Sequence, residues 1–138
     1  MKIKQISIFL ENTTGRIAEV TGVLKAGGVN LRAIMIADTA DFGILRVITD
    51  NYEKAIKVLS ESKFTTRSTD VLAVSISDKV GSMHDVLSLF QKTGINIEYL
   101  YASLEKTGDT AVIIFKVEDV EKGLKVIEDN GLSGVGKF

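Results

Sequence analysis

One stretch of this chain occurs twice, and that repetition limits what the chain can fold into more than any other feature. The segment from Asn12 to Asn30 returns 66 residues on as Asp78 to Asn96. Gly15 matches Gly81, Ile17 Met83, Val20 Val86, Leu24 Phe90, Gly28 Gly94, Val29 Ile95 and Asn30 Asn96. A solenoid needs about three or more units to bury a continuous core, so two copies mark one folding unit used twice. The halves, 1–69 and 70–138, are each small and bury a modest core alone. They are expected to pack together.

Within each copy the hydrophobic period changes in the same order. Ile6, Ile8 and Leu10 alternate, as do Leu72, Val74 and Ile76, which predicts a half-buried strand. Past Gly15 the spacing of Ile17, Val20 and Leu24 is that of one helix face, and Met83, Val86, Leu87 and Phe90 repeat it. Gly28 and Gly94 stand where each helix should stop, because glycine enters a left-handed C-cap without steric cost. Two strands then form a hairpin: Val29 to Ala37 with Phe42 to Thr49, and Ile95 to Leu104 with Thr110 to Val117. A second helix follows, marked by Tyr52, Ala55, Val58 and Leu59, then by Val120, Gly123, Leu124 and Ile127, with Asp50 and Asp119 as N-caps. Phe64 to Asp70 and Gly131 to Phe138 close the two copies as short strands. No Pro, Gly or Ser-rich spacer separates Asp70 from Val71, which predicts a stiff junction.

The order is strand, helix, strand, strand, helix, strand, twice. That is an α+β fold of two ferredoxin-like βαββαβ units, each an antiparallel sheet with both helices on one face. Unpaired sheet edges invite association, so the two sheets are expected to join side by side.

The charges exclude several functions. Lys and Arg number 17 against 18 Asp and Glu, scattered along the chain, so there is no basic footprint for nucleic acid. The longest apolar run, Ala111 to Phe115, is far below the roughly 20 residues of a membrane helix. No signal peptide is read at Met1-Lys2-Ile3-Lys4, and the lack of cysteine fits a reducing, cytoplasmic setting.

Catalytic signals are thin. His84 is the only histidine, and its neighbours Ser82 and Asp85 lie two and one residues away, where helical side chains do not face each other. Ser82 and Asp85 read instead as a capping box. No His, Asp and Glu cluster has metal-ligand spacing, and Asp38 and Asp41 serve a turn. Gly131 to Lys137 satisfies the spacing of a phosphate-binding loop, but Phe138 stands where Ser or Thr would bind magnesium. No catalytic residue, cofactor or metal is expected.

The repeated loop remains. A polar residue, Asn12 or Asp78, ends the first strand; a glycine then opens a helix; Asn30 or Asn96 follows at the head of the next strand. Free N–H groups at a helix start suit a carboxylate, and a side-chain oxygen at 12 or 78 suits an ammonium. Together they would recognise a free amino acid. The same residues also satisfy purely structural needs: Asn12 as a turn residue, Gly15 as a backbone requirement, Asn30 at a helix exit. Pattern alone leaves both readings open.

Asn12-x-x-Gly15-Arg16-Ile17-x-x-Val20-x-x-x-Leu24-x-x-x-Gly28-Val29-Asn30-Leu31, echoed from Asp78 through Ile97, resembles the ACT domain, and the two copies cover nearly the whole chain. The resemblance implies a regulatory module that binds amino acids at interfaces between paired copies. It implies that Asn12 and Asp78 contact the ligand's amino group. The backbone at Gly15, Arg16 and Ile17, and at Gly81, Ser82 and Met83, would hold its carboxylate, with Thr13, Thr14 and Val80 beside it in the ligand-binding loops, and Asn30 and Asn96 would reach it across the interface. Leu31 and Ile97, with Ala33 and Tyr99, stand near the loops as pocket wall. Thr14 and Val80 replace the proline that many members carry, which removes a preset backbone angle and no donor. With no residues left for an attached enzyme, the expectation is a stand-alone, homodimeric protein that acts on a separate target enzyme or simply reports or buffers its ligand. The alternative is a scaffold of the same fold that has lost its ligand and assembles a partner enzyme.

Overall fold

The computed structural model describes residues 2–138, with the backbone alone at 106 and 107. The elements in order are β1 (Lys2–Glu11), α1 (Arg16–Ala26), β2 (Leu31–Asp38), β3 (Phe42–Thr49), α2 (Tyr52–Glu61) and β4 (Thr65–Ser77). Then come α3 (Ser82–Lys92), β5 (Ile97–Thr107), β6 (Thr110–Val117), α4 (Val120–Asp129) and the two-residue β7 (Ser133–Gly134). The chain divides into two units: Lys4–Thr69, and Asp70–Phe138 with the chain start through Ile3.

In the first unit β3 pairs antiparallel with β1 on one side and β2 on the other. Ile8 lies opposite Leu45 and Ile6 opposite Val47, so alternate residues share one face of the sheet. The two helices cover that face: Val20 and Leu24 of α1 and Ala55 and Leu59 of α2 close over Ile6, Ile8, Leu10, Leu45 and Val47. The second unit repeats the plan, with strand order β5-β6-β4-β7. Its core sets Val86 and Phe90 of α3 and Val126 and Ile127 of α4 against Leu72, Val74, Phe115 and Val117. Phe90 and Phe115 meet with ring centroids 5.5 Å apart and planes tilted by 37°, an arrangement aromatic pairs favour.

Gly123 shows how closely α4 lies on its sheet. A Cβ built there would stand 2.6 Å from Leu72 Cδ1 and 3.1 Å from Val117 Cγ2. The helix can settle that deep only where a side chain is missing.

The four helices end alike. The residue just past each C-cap has a left-handed backbone and the chain then turns into the next segment: Gly28, Lys63, Gly94 and Gly131, with φ of 69°, 64°, 72° and 63°. In each case the residue after it returns its N–H to a carbonyl of the last helical turn, as Val29 does to Leu24 and Phe64 to Leu59. Three of these are the glycines that steric freedom demands. Lys63 is the exception.

Several expectations are corrected. The helix-opening caps are Gly15 and Gly81 with no side-chain cap, so Ser82 is the first helical residue of α3 and forms no capping box with Asp85. Asn51, not Asp50, caps α2 by accepting from Lys54 N, while Asp119 caps α4 by accepting from Lys122 N. The hairpin strands begin later, at Leu31 and Ile97, because Val29 and Ile95 belong to the helix-exit turn. The expected strand at Phe64–Asp70 and the one from Val71 are a single element, β4. The last strand shrinks to Ser133–Gly134 amid glycines that have no side chain to pack. Ile17 leaves the core face of α1 and is 42% exposed.

Candidate functional site

The turn that opens α1 is built from a few backbone hydrogen bonds. Asn12 N–H reaches the Asp41 carbonyl at 2.9 Å, tying the end of β1 to the β2–β3 hairpin, and Arg16 N–H reaches Thr13 O at 3.4 Å. Gly15 takes φ 88° and ψ −9°, and Glu19 N–H closes the first helical bond onto its carbonyl at 3.0 Å. Among the described residues the N–H groups of Thr14, Gly15, Ile17 and Ala18 find no acceptor. They are the donors that any helix start leaves over.

The turn that opens α3 is the same object. Asp78 N–H reaches Asp109 O, Ser82 N–H reaches Lys79 O at 3.2 Å, and Asp85 N–H closes onto Gly81 O at 3.0 Å. Gly81 has φ 85° and ψ −8°. Val80, Gly81, Met83 and His84 carry the N–H groups without an acceptor among the described residues. No atom lies within 4 Å of where a Cβ would sit on either glycine, so both turns open outward.

Asn12, Thr13, Thr14, Gly15 and Ile17 are exposed and Arg16 is half-buried; Asp78, Val80 and Gly81 are exposed, with Ser82 and Met83 half-buried. Each unit therefore presents its turn to approach from outside. The Asn12 amide nitrogen leans toward Thr39 O at 3.5 Å, which leaves its oxygen as an acceptor.

Asn30 and Asn96 do not join these turns within their own units. The 11 residues of α1 separate the Gly15 turn from the Asn30 end, a length of about 16 Å at 1.5 Å per residue. At that far end Asn30 N–H reaches Asp50 Oδ1 at 2.9 Å and its carbonyl accepts from Asp50 N–H. Asn96 O accepts from Glu118 N–H in the equivalent place. The two asparagine side chains are exposed. Directly after each, the β2–β3 and β5–β6 registers slip, between Leu31 and Ala33 and between Ile97 and Tyr99. Such a bulge re-aims the side chains beside it, here the half-buried Leu31 and Ile97.

Arg16 distinguishes the first turn from the second. Its Nε reaches Glu11 Oε2 at 2.7 Å, its Nη1 reaches Glu19, and the guanidinium lies over the Phe64 ring, 5.1 Å from the centroid. The second unit has Ser82, Ser77, Asp85 and Leu132 at these positions. A hydrogen bond from its own backbone N–H, then the charge of Arg16 and its hydrogen bond, hold the Glu11 carboxyl below the ordinary carboxylate range. Partial burial works against the Arg16 charge, but the hydrogen bond to Glu19 and the charges of both carboxylates outweigh it and raise its pKa. The Arg16–Glu19 pair is legible in the sequence from its i, i+3 spacing; the parts played by Glu11 and Phe64 are not.

His84 is exposed and its carbonyl accepts from Ser88 Oγ at 2.8 Å. Among the described residues no group of three His, Asp or Glu could hold a metal ion, and no helix is long and apolar enough to cross a membrane.

A family model described as an ACT domain pair matches residues 1–137. Among solved structures, protein BT0572 from Bacteroides thetaiotaomicron is similar at 36% identity and TM-score 0.92, over 98% of this chain and 92% of that one. The ligand-free regulatory subunit of aspartate kinase from Thermus thermophilus is similar at 16% identity and TM-score 0.62, over 94% of each chain. E. coli aspartokinase III, solved with lysine and aspartate, is similar at 14% identity and TM-score 0.53, over 93% of this chain and 31% of that one. The last two likenesses speak to the fold. No curated protein matches the chain.

Proposed function

The chain belongs to the ACT domain pair family, and from that premise we propose that it is a regulatory protein that binds a free amino acid and makes or breaks no bond itself. The observation that carries the reading is the paired helix-opening turn. Gly15 and Gly81 hold the same left-handed backbone, and each turn leaves N–H groups without acceptors on an open surface. A carboxylate fits such donors because the helix dipole favours negative charge there. The Asn12 oxygen and the Asp78 carboxylate supply acceptors for the ammonium.

In this reading the two ACT domains, 1–69 and 70–138, join their sheets side by side, and the ligand sits at an interface between ACT domains. Asn30 and Asn96 then come to it from a different domain than the turn does, since within a unit α1 or α3 holds them apart. The protein is a cytoplasmic homodimer that acts on a separate target enzyme. Ligand binding regulates by favouring one packing of the domains over another, which requires a difference in affinity between the two.

The test is calorimetry against the twenty amino acids, with Asn12→Ala and Asp78→Ala beside the unsubstituted protein. Heat from one or a few amino acids, lost in the double variant with the dimer retained, is the expected result. No heat with any of them overturns the reading. Phe42, 60% exposed, and Leu104, 64% exposed, favour a second reading, a scaffold that holds a partner enzyme. Amino acid binding that survives loss of Asn12 and Asp78 would not help that reading, whereas co-purification of an enzyme without any amino acid binding would.

A further inference from the structure

Two positions in the first unit carry residues that the backbone alone would not choose, and both border one cleft. Gly22 lies in the middle of α1, where glycine weakens a helix, yet no atom lies within 4 Å of where its Cβ would be. Nothing in the fold requires the missing side chain. Lys63 has φ 64° at the end of α2, the left-handed position that glycine fills at the ends of α1, α3 and α4. Nothing in the fold requires the side chain that is present. The second unit makes the opposite choice at each equivalent position, Ser88 for Gly22 and Gly131 for Lys63. Backbone conformations that strain a side chain cluster at functional sites.

The cleft between α1 and the turn into β4 has a volume of about 450 Å³, with Gly22, Val23 and Ala26 along one wall and Lys63 and Phe64 along the other. Arg16 lines it as well. Its Nε and Nη1 are taken by Glu11 and Glu19, and its Nη2 has no partner among the described residues. The Lys63 ammonium forms no ion pair among the described residues. Glu11 and Glu19 answer the charge of Arg16, which leaves Lys63 as the cation lining the cleft without a carboxylate partner among the described residues. A cavity of this size with an apolar wall and a few polar groups suits a small organic molecule.

We propose that this cleft is a second binding site, separate from the helix-opening turns, for a small organic monocarboxylate, with Lys63 as the anchoring cation and Gly22 kept bare so that the ligand's carbon chain can lie against α1. The ligand's carboxylate meets Lys63 and Arg16 Nη2 in charge-assisted hydrogen bonds. The site stands independently of the amino acid reading, because none of its chemistry uses the α1 and α3 opening turns beyond the Arg16 side chain.

The test is amide NMR of the full chain titrated with sodium butanoate, and with butylammonium chloride as the charge-reversed control. Butanoate is expected to shift the amides of Gly22, Val23, Lys63 and Phe64 with saturation, and butylammonium to leave them in place. Lys63→Gly is expected to raise the melting temperature while weakening butanoate binding roughly tenfold or more, the size of one hydrogen bond to a charged group. Gly22→Ala is expected to raise the melting temperature and to weaken binding by filling the wall. Butanoate shifts that are absent, or that fall only on the turns at 15–18 and 81–84, overturn the proposal. So does undiminished binding in Lys63→Gly, or a lower melting temperature in that variant, which would show that Lys63 serves the fold. Failure of amino acids to bind at the turns leaves these readouts unaffected, so the two readings fail separately.

Discussion

Gly15 and Gly81, equivalent positions of the two repeats, hold nearly identical left-handed backbones, with φ of 88° and 85°. The space around each is empty, so a methyl group would meet no neighbour. Gly15→Ala and Gly81→Ala therefore isolate the conformational cost of the turn. Each is expected to destabilise its unit by about 1–2 kcal/mol, the cost of a left-handed backbone for a residue with a Cβ. Urea denaturation checks this, and a cost near zero in both variants would mean that the turns relax into another shape.

Gly22 and Gly123 make opposite demands although both lie within helices. Gly22→Ala meets nothing and is expected to stabilise by about 0.5–1 kcal/mol. Gly123→Ala drives a Cβ to within 2.6 Å of Leu72 Cδ1, and overpacking of that kind costs about 1–3 kcal/mol. Melting temperatures should move up for the first substitution and down for the second. Movement in the same direction would contradict the packing of α4 on β4 and β6.

Glu11 links the first turn to pH. Its folded pKa is depressed by its own backbone N–H and by Arg16, so the unfolded chain binds a proton first as pH falls. The stability it contributes is present above the unfolded value of about 4.3 and is lost as pH falls through the folded value. Glu11→Gln is expected to flatten this part of the acid limb of a stability against pH curve and to leave the neutral to alkaline part parallel. Because the carboxylate is on the surface, high salt should shrink the difference. An unchanged acid limb would mean that Arg16 is held by Glu19 alone.

Some of this architecture is legible in the sequence because one residue type answers one physical need. Gly28 and Gly94 mark helix ends since a left-handed turn admits glycine most easily, and the alternation of Ile6, Ile8 and Leu10 marks the buried face of β1 because strand side chains alternate. Lys63 occupies the same turn without any sign in the sequence, and only the backbone bonds from Lys63 to Ser60 and from Phe64 to Leu59 reveal it. Asp50 and Asn51 are both good caps, and only the observed hydrogen bonds, Asp50 to Asn30 N–H and Asn51 to Lys54 N–H, assign them. Ile17 has the spacing of a core residue but is 42% exposed, whereas Met83, its equivalent in α3, packs against the second core. The like shape of the turns that open α1 and α3 is legible in the repeat through Gly15 and Gly81. The separation of Asn30 from Asn12 follows from helix length, and the Glu11, Arg16 and Phe64 cluster depends on tertiary contacts that no local pattern carries.

The most direct measurement is thermal denaturation of the purified protein with each amino acid at millimolar concentration. A ligand present at about 100 times its Kd adds about 2.7 kcal/mol of apparent stability, enough to raise the melting temperature by several degrees. Binding at the Gly15 and Gly81 turns predicts such a rise with one or a few amino acids, and its loss in the Asn12→Ala and Asp78→Ala double variant. No rise with any of the twenty, in a protein that is folded and dimeric, would contradict amino acid sensing by this chain.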